Sequence, residues 1–278
     1  MKRMETLASG YGLIEGPRVD AQGNLFFSDV HNGGVYRRAP NGDITTAIPK
    51  RRGVGGIALH ADGGLVVSGR NICHVRDRET RVLFEREDVG GWNDIFTDRT
   101  GRVYAGSLRS NPFGRDAGAQ KGELWRIDAA GDGTELYGDV ALSNGIGFSP
   151  DGSILYHSDS VPRQVVAHDV LPDGQVKKRR ALFTLEKGVP DGLAVDEEGG
   201  VWVAIYGEGC AARFLPDGTR DRQVDVPARS VTSLCFGGED LRDLYNVTAD
   251  NTDDPERGGT IFRTRSDVAG LPAPLATI

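Results

Sequence analysis

The stretch KGVPDGLAVDEEGGVWVA, from Lys187 to Ala204, decides the fold because its pattern returns elsewhere in the chain. It contains an Asp-Gly pair, Asp191-Gly192, followed by an alternating apolar strand pattern, a glycine-bearing turn and a second apolar strand. Asp-Gly pairs usually mark turns. Because this pair belongs to a recurring pattern, Asp191 needs an explanation beyond local turn geometry.

Five further copies of the pattern occur, which indicates an internal repeat. They read IEGPRVDAQGNLFFSD from Ile14, VGGIALHADGGLVVSG from Val54, WNDIFTDRTGRVYAGS from Trp92, SNGIGFSPDGSILYHSD from Ser143 and VTSLCFGGEDLRDLYNVT from Val231. Other hairpin turns lie between the copies, as at Asn41-Gly42 and Asp173-Gly174. Each unit therefore holds about four strands over roughly 40 to 50 residues, the size of one propeller blade.

The repeat predicts an all-β protein, a six-bladed β-propeller with about four antiparallel strands per blade, formed as one domain by residues 1–278. The absence of a helical pattern between the strands argues against βαβ units. Two stacked sandwiches would fit the number of strands but not their regular repetition. We expect the segment METLASG, residues 4–10, to close the ring by adding a strand to the last blade.

Composition excludes several functional classes. The formal net charge of −7 argues against a nucleic-acid partner, and no apolar run is long enough to span a membrane. The three cysteines, Cys73, Cys210 and Cys235, show no CxxC spacing, which favours a reducing compartment. The start MKRMETLASGYG has no apolar core typical of a signal peptide. We therefore expect a cytoplasmic protein.

Aligning the repeats assigns one residue of each copy to the same end of the central channel. These residues are Glu15, Gly55, Asn93, Asn144, Asp191 and Thr232, separated by 40, 38, 51, 47 and 41 positions. Carboxylates and carboxamides aimed at one point are costly unless something compensates them. A hard divalent cation such as Ca²⁺, Mg²⁺ or Mn²⁺ would do so. Asp191 is thus interpreted as a ligand of an axial metal; the alternative is that these residues only shape loops.

Two of the repeats, LSNGIGFSPDGSILYHSDS and VPDGLAVDEEGGVWVAIYG, resemble the regucalcin/gluconolactonase family, as do IEGPRVD, WNDIFTDRTGRVYAGS and VTSLCFGGEDLRDLY. The resemblance implies a six-bladed propeller with one axial divalent metal and, commonly, lactone hydrolysis. It implies metal ligation by Glu15, Asn144 and Asp191, with Ca²⁺ as the first candidate and Zn²⁺, Mg²⁺ or Mn²⁺ as alternatives. It further implies that Asn93 holds substrate or a metal-bound water and that Asp191 doubles as the catalytic base.

The chain departs from the family pattern at one substrate-binding position. Similar sugar lactonases carry an arginine two residues before Asn93, where this chain has Gly91. With Trp92 beside it as an apolar wall, this departure favours a less polar substrate. Arg109, or Arg115 in the same irregular stretch, could replace the guanidinium. The remaining substrate-contact candidate is His31, placed near the channel mouth; for the two arginines and the histidine the alternative is an ordinary surface or structural side chain.

The leading hypothesis is a divalent-metal-dependent hydrolase that opens a lactone or a similar cyclic ester of a small-molecule substrate. The metal would polarise the carbonyl, and Asp191 or a metal-bound hydroxide would activate water. One alternative uses the same metal site for a hydratase, a lyase or another C–O bond hydrolysis; another is a non-catalytic Ca²⁺-binding propeller. No Gly-x-Ser-x-Gly elbow supports a serine nucleophile. A monomer or a small homo-oligomer is expected.

Overall fold

Twenty-five strands account for almost all regular structure in the computed structural model, which describes residues 4–278. They are β1 (Glu5–Tyr11), β2 (Ile14–Val19), β3 (Leu25–Asp29), β4 (Val35–Arg38), β5 (Ile44–Ile48), β6 (Ile57–His60), β7 (Leu65–Val67), β8 (Ile72–Arg76), β9 (Glu79–Phe84), β10 (Gly91–Thr97), β11 (Val103–Leu108), β12 (Gly122–Ile127), β13 (Gly133–Val140), β14 (Ser143–Phe148), β15 (Ile154–Asp159), β16 (Gln164–Val170), β17 (Val176–Thr184), β18 (Val189–Val195), β19 (Val201–Tyr206), β20 (Cys210–Phe214), β21 (Arg220–Asp225), β22 (Val231–Gly237), β23 (Asp243–Thr248), β24 (Gly259–Arg265) and β25 (Leu275–Ala276). A short 3-10 helix, Pro255–Arg257, precedes β24. No helix within residues 4–278 has the length and apolar character to cross a membrane.

The strands form six sheets, each built on four antiparallel strands, and this confirms the predicted six-bladed β-propeller. Blades 1 to 5 are β2–β5, β6–β9, β10–β13, β14–β17 and β18–β21, and blade 6 is β22–β24 with β1. The first strand of each blade packs against the first strands of its neighbours, so these six inner strands surround the axis. We call the end of the channel at which the inner strands begin the upper end, and the other the lower end.

Both terminal segments of the described chain join a blade. β1 pairs antiparallel with β24, from Glu5 opposite Arg263 to Tyr11 opposite Gly259. The outer strand of blade 6 thus comes from the segment that was predicted to close the ring. β25, which was not predicted, pairs parallel with β6, placing Leu275 opposite Leu59 near the lower end of blade 2.

The inner strands bulge where they enter the channel. In five blades the antiparallel register shifts within the first residues of the inner strand: between Glu15 and Arg18, Trp92 and Ile95, Ser143 and Ile146, Pro190 and Leu193, and Val231 and Ser233. A bulge leaves a residue out of the hydrogen-bonded ladder and re-aims its side chain. The aligned polar residues identified from the repeats lie at or next to these bulges.

Glycine follows the aligned residue in four blades because the next inner strand approaches too closely for a side chain. A Cβ on Gly145 would lie 2.4 Å from the backbone nitrogen of Leu193, and one on Gly56 would lie 2.3 Å from that of Ile95. Blade 3 has Asp94 at the equivalent position. The recurring glycine therefore reflects inter-strand packing rather than a turn alone.

We expect Gly145→Ala to destabilise the protein by about 1–3 kcal/mol, the usual cost of overpacking against a rigid neighbour. The backbone of Leu193 cannot move aside as a flexible side chain could. Urea unfolding followed by circular dichroism measures the change. Gly138→Ala is the matched control, since its Cβ would meet nothing closer than 3.7 Å; an equal loss in both variants would contradict the packing argument.

Candidate functional site

Two carboxylates meet at the upper end of the channel. Glu15 lies on β2 and Asp191 on β18. Burial, and then the neighbouring charges of Asp191 and Asp94, raise the pKa of Glu15 well above its ordinary value. Burial, and then the charge of Asp94, likewise raise the pKa of Asp191. The two groups predicted from separate repeats are therefore close enough to oppose each other's ionisation.

A third carboxylate, Asp94 on β10, was not given a role by the sequence analysis. Its side chain accepts a hydrogen bond from the backbone nitrogen of Ile95 at 2.8 Å and lies 3.7 Å from the guanidinium of Arg18. Burial nevertheless raises the pKa of Asp94 to about 6. Arg18 is held in turn by the carbonyls of Pro17, at 2.7 Å, and Ile95, at 3.1 Å. The guanidinium of Arg18 is thus held beside Asp94, and its charge also works against the raised pKa of Glu15.

Two amide side chains complete the cluster. Nδ2 of Asn93 donates to Oδ1 of Asn144 and to the carbonyl of Ser143, each at 2.7 Å. Nδ2 of Asn144 donates at 2.8 Å to the hydroxyl of Ser160, which donates to the carbonyl of Pro190. These bonds connect blades 3, 4 and 5 beside Asp191. Because both N–H groups of Asn93 are used, this side chain can offer only its oxygen to a ligand.

The remaining two aligned positions have supporting roles. A Cβ on Gly55 would lie 2.3 Å from Oδ1 of Asn93, so the glycine leaves room for that amide. Thr232 turns away from the cluster, because its hydroxyl donates to the carbonyls of Ile14 and Val247. Of the six aligned positions, four therefore place polar side chains at the upper end: Glu15, Asn93, Asn144 and Asp191.

The chemistry of the donor set fits a hard cation. Within the described residues 4–278, neither Glu15 nor Asp191 has a basic side chain within 4 Å as an ion-pair partner. Also within that range, no three His, Cys, Asp or Glu side chains are placed to hold a metal by themselves. A cation here would therefore use amide oxygen as well as carboxylate oxygen, the ligand set that suits Ca²⁺, Mg²⁺ or Mn²⁺.

The prediction that Trp92 lines the substrate site is wrong in this structure. Its side chain is 1% exposed and packs in the core between blades 2 and 3. The ring contacts Phe84 and Trp125, with centroids 5.3 and 6.3 Å away. The cause is the alternation of β10, which directs Asn93 toward the channel and Trp92 into the core. Trp92 therefore provides no apolar wall that would favour a less polar substrate.

Arg109 does not present a free guanidinium. Its Nε donates to Glu123 at 2.7 Å, and its two terminal nitrogens bond the carbonyl and the carboxylate of Asp88 at 2.9 and 3.2 Å. Substrate binding by Arg109 would have to break these contacts. Another arginine, Arg51, lies near Gly69, a neighbour of Gly91: the Cβ position of Gly91 lies 3.2 Å from the carbonyl of Gly69, whose own Cβ position is 3.6 Å from Nη2 of Arg51.

His31 lies in the exposed β3–β4 loop at the upper end and meets a segment from another blade. The segment is residues 109–121, between β11 and β12, which we call the cover segment. The ring of Phe113 from this segment lies 5.2 Å from that of His31. Farther along, the Cβ position of Gly118 is 2.8 Å from Val161 of blade 4. The cover segment therefore reaches from blade 4 to blade 1, and a substrate contact by His31 stays a prediction.

A cavity of about 820 Å³ lies at the lower end, away from the carboxylate cluster. Residues 271–275 cover it, and apolar side chains such as Phe96 and Phe148 line it. Its two carboxylates are already engaged, since Asp98 pairs with Arg102 at 2.7 Å and Asp151 accepts hydrogen bonds from Ser149 and Ser153. The reactive groups thus favour the upper end as the functional site.

The raised pKa values predict how the metal-free protein responds to pH. A carboxyl whose pKa is higher folded than unfolded stabilises the fold most when protonated. The free energy of unfolding should therefore fall as pH rises from about 4, the unfolded value, through the raised values, including about 6 for Asp94. Urea unfolding in a chelator measures this. The double variant Glu15→Gln, Asp191→Asn should lose less stability over the same range; identical profiles would contradict the clustering.

The class of protein defined by this fold and site is a six-bladed propeller with carboxylates and amides converging on its axis. The family model for the SMP-30/Gluconolactonase/LRE-like region matches residues 13–250, and the chain belongs to this family. The chain is 33% identical over 267 residues to 6-deoxy-6-sulfogluconolactonase of Pseudomonas putida, with 90% of each chain covered. It is 30% identical to regucalcin of Oryctolagus cuniculus, covering 91% of this chain and 90% of that one.

A solved structure shows the same fold. The luciferin-regenerating enzyme superimposes with a TM-score of 0.91 over 100% of both chains at 24% sequence identity. At this identity the likeness supports the architecture and nothing about substrate. The site residues, the cytoplasmic location and the oligomeric state stay predictions.

Proposed function

We propose that this protein is a divalent-cation-dependent hydrolase that opens a lactone of a small hydroxy acid. The observation that carries the proposal is the cluster of Glu15, Asn144 and Asp191, whose two carboxylates both have raised pKa values and have no ion-pair partner within 4 Å among residues 4–278. Membership of a family that includes named lactonases supports the reaction.

Glu15, Asn144 and Asp191 would hold the cation. When bound, it supplies Lewis-acid polarisation of the substrate carbonyl and stabilises negative charge that develops on the carbonyl oxygen. The two carboxylates would lose their protons when the cation binds. The positive charge of the cation would then offset the burial and the repulsion that raise their pKa values.

Asp191 is the proposed general base. Its carboxylate lies in the same cluster as the amide oxygen of Asn93, which has no hydrogen-bond donor among the described residues. Asn93 can therefore accept a hydrogen bond from the attacking water or from a substrate hydroxyl and orient it toward the base. Proton transfer from the attacking water to Asp191 would leave a tetrahedral centre, which collapses by breaking the ring C–O bond as the protonated Asp191 returns its proton to the departing ring oxygen.

The substrate we propose is a polar sugar-acid lactone. The similar proteins named above include a sulfogluconolactonase, and a pentonolactonase of Haloferax volcanii is 29% identical over 267 residues. The missing arginine at Gly91 argued against this class, but Arg51, in the blade 1–2 connection, offers a guanidinium whose Nη1 makes no hydrogen bond within residues 4–278, whereas all three nitrogens of Arg109 are bonded. It is held by Ser68 and Asn71 at 2.8 to 3.1 Å, which fixes its orientation.

Metal removal and replacement test the proposal. The protein is stripped with a chelator, and acid release from a panel of aldonolactones and simple aliphatic lactones is followed with Ca²⁺, Mg²⁺, Mn²⁺ or Zn²⁺ added back. Cation-dependent hydrolysis of at least one lactone supports the proposal. Hydrolysis that persists fully after chelation would contradict the cation's role, and thermal stabilisation by Ca²⁺ with no lactone turned over would favour a calcium-binding protein instead.

A further inference from the structure

A serine, a histidine and a tyrosine form a continuous hydrogen-bonded chain behind the amide pair. Ser143 Oγ on β14 lies 2.7 Å from Nε2 of His157 on β15. The other ring nitrogen of His157, Nδ1, is hydrogen-bonded to the hydroxyl of Tyr137 on β13. None of these three side chains takes part in the function proposed above.

The Ser143–His157 pair is not a catalytic nucleophile and base. Both side chains are 0% exposed. A Cβ on Gly106 of blade 3 would lie 1.6 Å from Ser143 Oγ, so the hydroxyl is enclosed between blades 3 and 4. A nucleophile must reach the reacting carbon of a substrate. The three hydrogen-bonded side chains can therefore affect the reaction only through the residues that line the channel.

Ser143 connects the chain to both amides of the site. It directly precedes Asn144, and its carbonyl accepts the 2.7 Å hydrogen bond from Nδ2 of Asn93. The β14–β15 ladder pairs Ser143 with Asp159 and Ile146 with His157, and it skips the bulged residues between them. Because Asn144 lies in this unpaired segment, the bond from Ser143 to His157 adds a side-chain restraint directly beside the residue that the ladder leaves free.

The donors and acceptors of the Ser143–His157 and His157–Tyr137 hydrogen bonds can be assigned. The buried hydroxyl of Ser143 has no other acceptor among residues 4–278, so accepting a proton from Nε2 would leave its own proton unpaired, at a cost of about 1–3 kcal/mol. Ser143 therefore donates to Nε2. A neutral imidazole then carries its proton on Nδ1 and donates it to the oxygen of Tyr137. Tyr137 is only partly buried, so its own proton can go to water, which the fully buried Ser143 cannot reach.

The surroundings keep His157 neutral and Tyr137 in place. Burial, then the nearby charges of His168 and Arg179, lower the pKa of His157 to about 3. Tyr137 stacks on His168 with ring centroids 4.2 Å apart, and the guanidinium of Arg179 lies 5.1 Å from the Tyr137 ring. The tyrosine ring is thus fixed by contacts that do not depend on its hydroxyl.

We propose that Tyr137, His157 and Ser143 are positioning residues that fix the orientation of Asn144 and Asn93 toward the channel. The hydrogen bonds link the tyrosine oxygen to the imidazole and the imidazole to the serine hydroxyl. Ser143 is joined through its backbone to Asn144, and its carbonyl accepts a hydrogen bond from Asn93. The expected effect on cation binding rests on the proposed function, whereas the orientation of the two amides does not depend on it.

The first test needs neither cation nor substrate. In ¹⁵N-labelled wild-type protein in chelator, the ¹⁵N shifts of His157 should show the Nδ1–H tautomer, and the side-chain amide protons of Asn93 should exchange slowly with solvent. In Tyr137→Phe, His157 should lose the Nδ1–H signature and the exchange of the Asn93 amide should accelerate. Tyr156→Phe, a nearby tyrosine substitution on β15 outside the chain, should change neither signal.

The second test measures the affinity for Ca²⁺ by calorimetry. Tyr137→Phe and Ser143→Ala should each weaken binding about 10-fold or more, the usual effect of removing a group that orients a ligand, while Tyr156→Phe leaves it unchanged. A purely structural role would lower the unfolding midpoint without changing affinity.

The outcomes separate the two proposals. An Nε2–H tautomer in the wild type, or unchanged Asn93 exchange in Tyr137→Phe, overturns the positioning chain whatever the protein catalyses. Unchanged Ca²⁺ affinity in Tyr137→Phe and Ser143→Ala, with binding intact in the wild type, overturns it as well. Absence of binding of Ca²⁺, Mg²⁺, Mn²⁺ and Zn²⁺ alike in the wild type contradicts the proposed function, and the tautomer and exchange measurements then decide the positioning chain by themselves.

Discussion

Asp191→Asn should lower kcat/KM for lactone hydrolysis by a factor of about 10³ or more while the protein stays folded. The substitution keeps the shape of the side chain but removes the proton acceptor and one of two carboxylate charges available to a cation. Because burial and the charge of Asp94 raise the pKa of Asp191, the metal-free variant should also be more stable than the wild type above neutral pH. Steady-state kinetics and urea unfolding at pH 8 measure the two effects.

Asp217→Asn is the matched control. Asp217 also precedes a glycine, but it lies in an exposed turn between β20 and β21, where it accepts a hydrogen bond from the backbone of Thr219 at 2.9 Å. If Asp-Gly pairs were important only as turns, the two variants would behave alike. Retention of more than a tenth of wild-type activity by Asp191→Asn would remove it from the proposed mechanism.

Asp196→Ala should reduce the free energy of unfolding by about 3–5 kcal/mol, the cost of leaving a buried charge without its partner. Asp196 follows β18 at the lower end and is 0% exposed. It accepts hydrogen bonds from Arg213 at 2.6 and 3.1 Å and from Trp202 at 2.9 Å. Urea unfolding measures the loss. Glu198 and Asp221 also form ion pairs with Arg213 and remain in the variant, so the loss should lie at the lower end of that range.

Asp240→Ala is the control for the buried pair. Asp240 forms an ion pair with Arg265, but both side chains are about half exposed, at 51% and 50%. Exposed pairs contribute little because water screens them, so the unfolding midpoint should hardly move. Equal destabilisation by both substitutions would contradict the view that burial decides the cost. Folded Asp196→Ala should keep its affinity for a cation, since the change is at the opposite end of the channel.

The blade repeat was readable from the sequence because each inner strand follows the same local rules. Alternating apolar residues, a turn glycine and a second strand recur in every copy, so the six blades and the closing strand Glu5–Tyr11 were predicted. β25 was not, since its pairing with β6 depends on where the chain returns after blade 6.

The site was predictable only where it follows the repeat. Glu15, Asn93, Asn144 and Asp191 stand at equivalent positions, and symmetry brings equivalent positions together. Asp94 was overlooked as a site residue because it occupies the position at which other blades need glycine. The assignment of Trp92 failed because consecutive residues of β10 point to opposite sides, so Trp92 enters the core when Asn93 faces the channel.

Other features of the site depend on contacts between residues far apart in the sequence, which no local pattern records. The ion pairs of Arg109 join it to Asp88, in the connection before β10, and to Glu123 on β12. The bond between Ser143 and His157 likewise forms across neighbouring strands. In both cases the residue type was visible in the sequence but its partner was not.

The central claim is that side chains from three blades meet at one cation on the propeller axis. Crystals grown with Mn²⁺ and measured for its anomalous signal test this most directly. The account predicts a single peak at the upper end, with oxygen atoms of Glu15, Asn144 and Asp191 about 2.0–2.6 Å from it. A map without a peak there, from crystals of protein that hydrolyses lactones in the same Mn²⁺ solution, would contradict the claim.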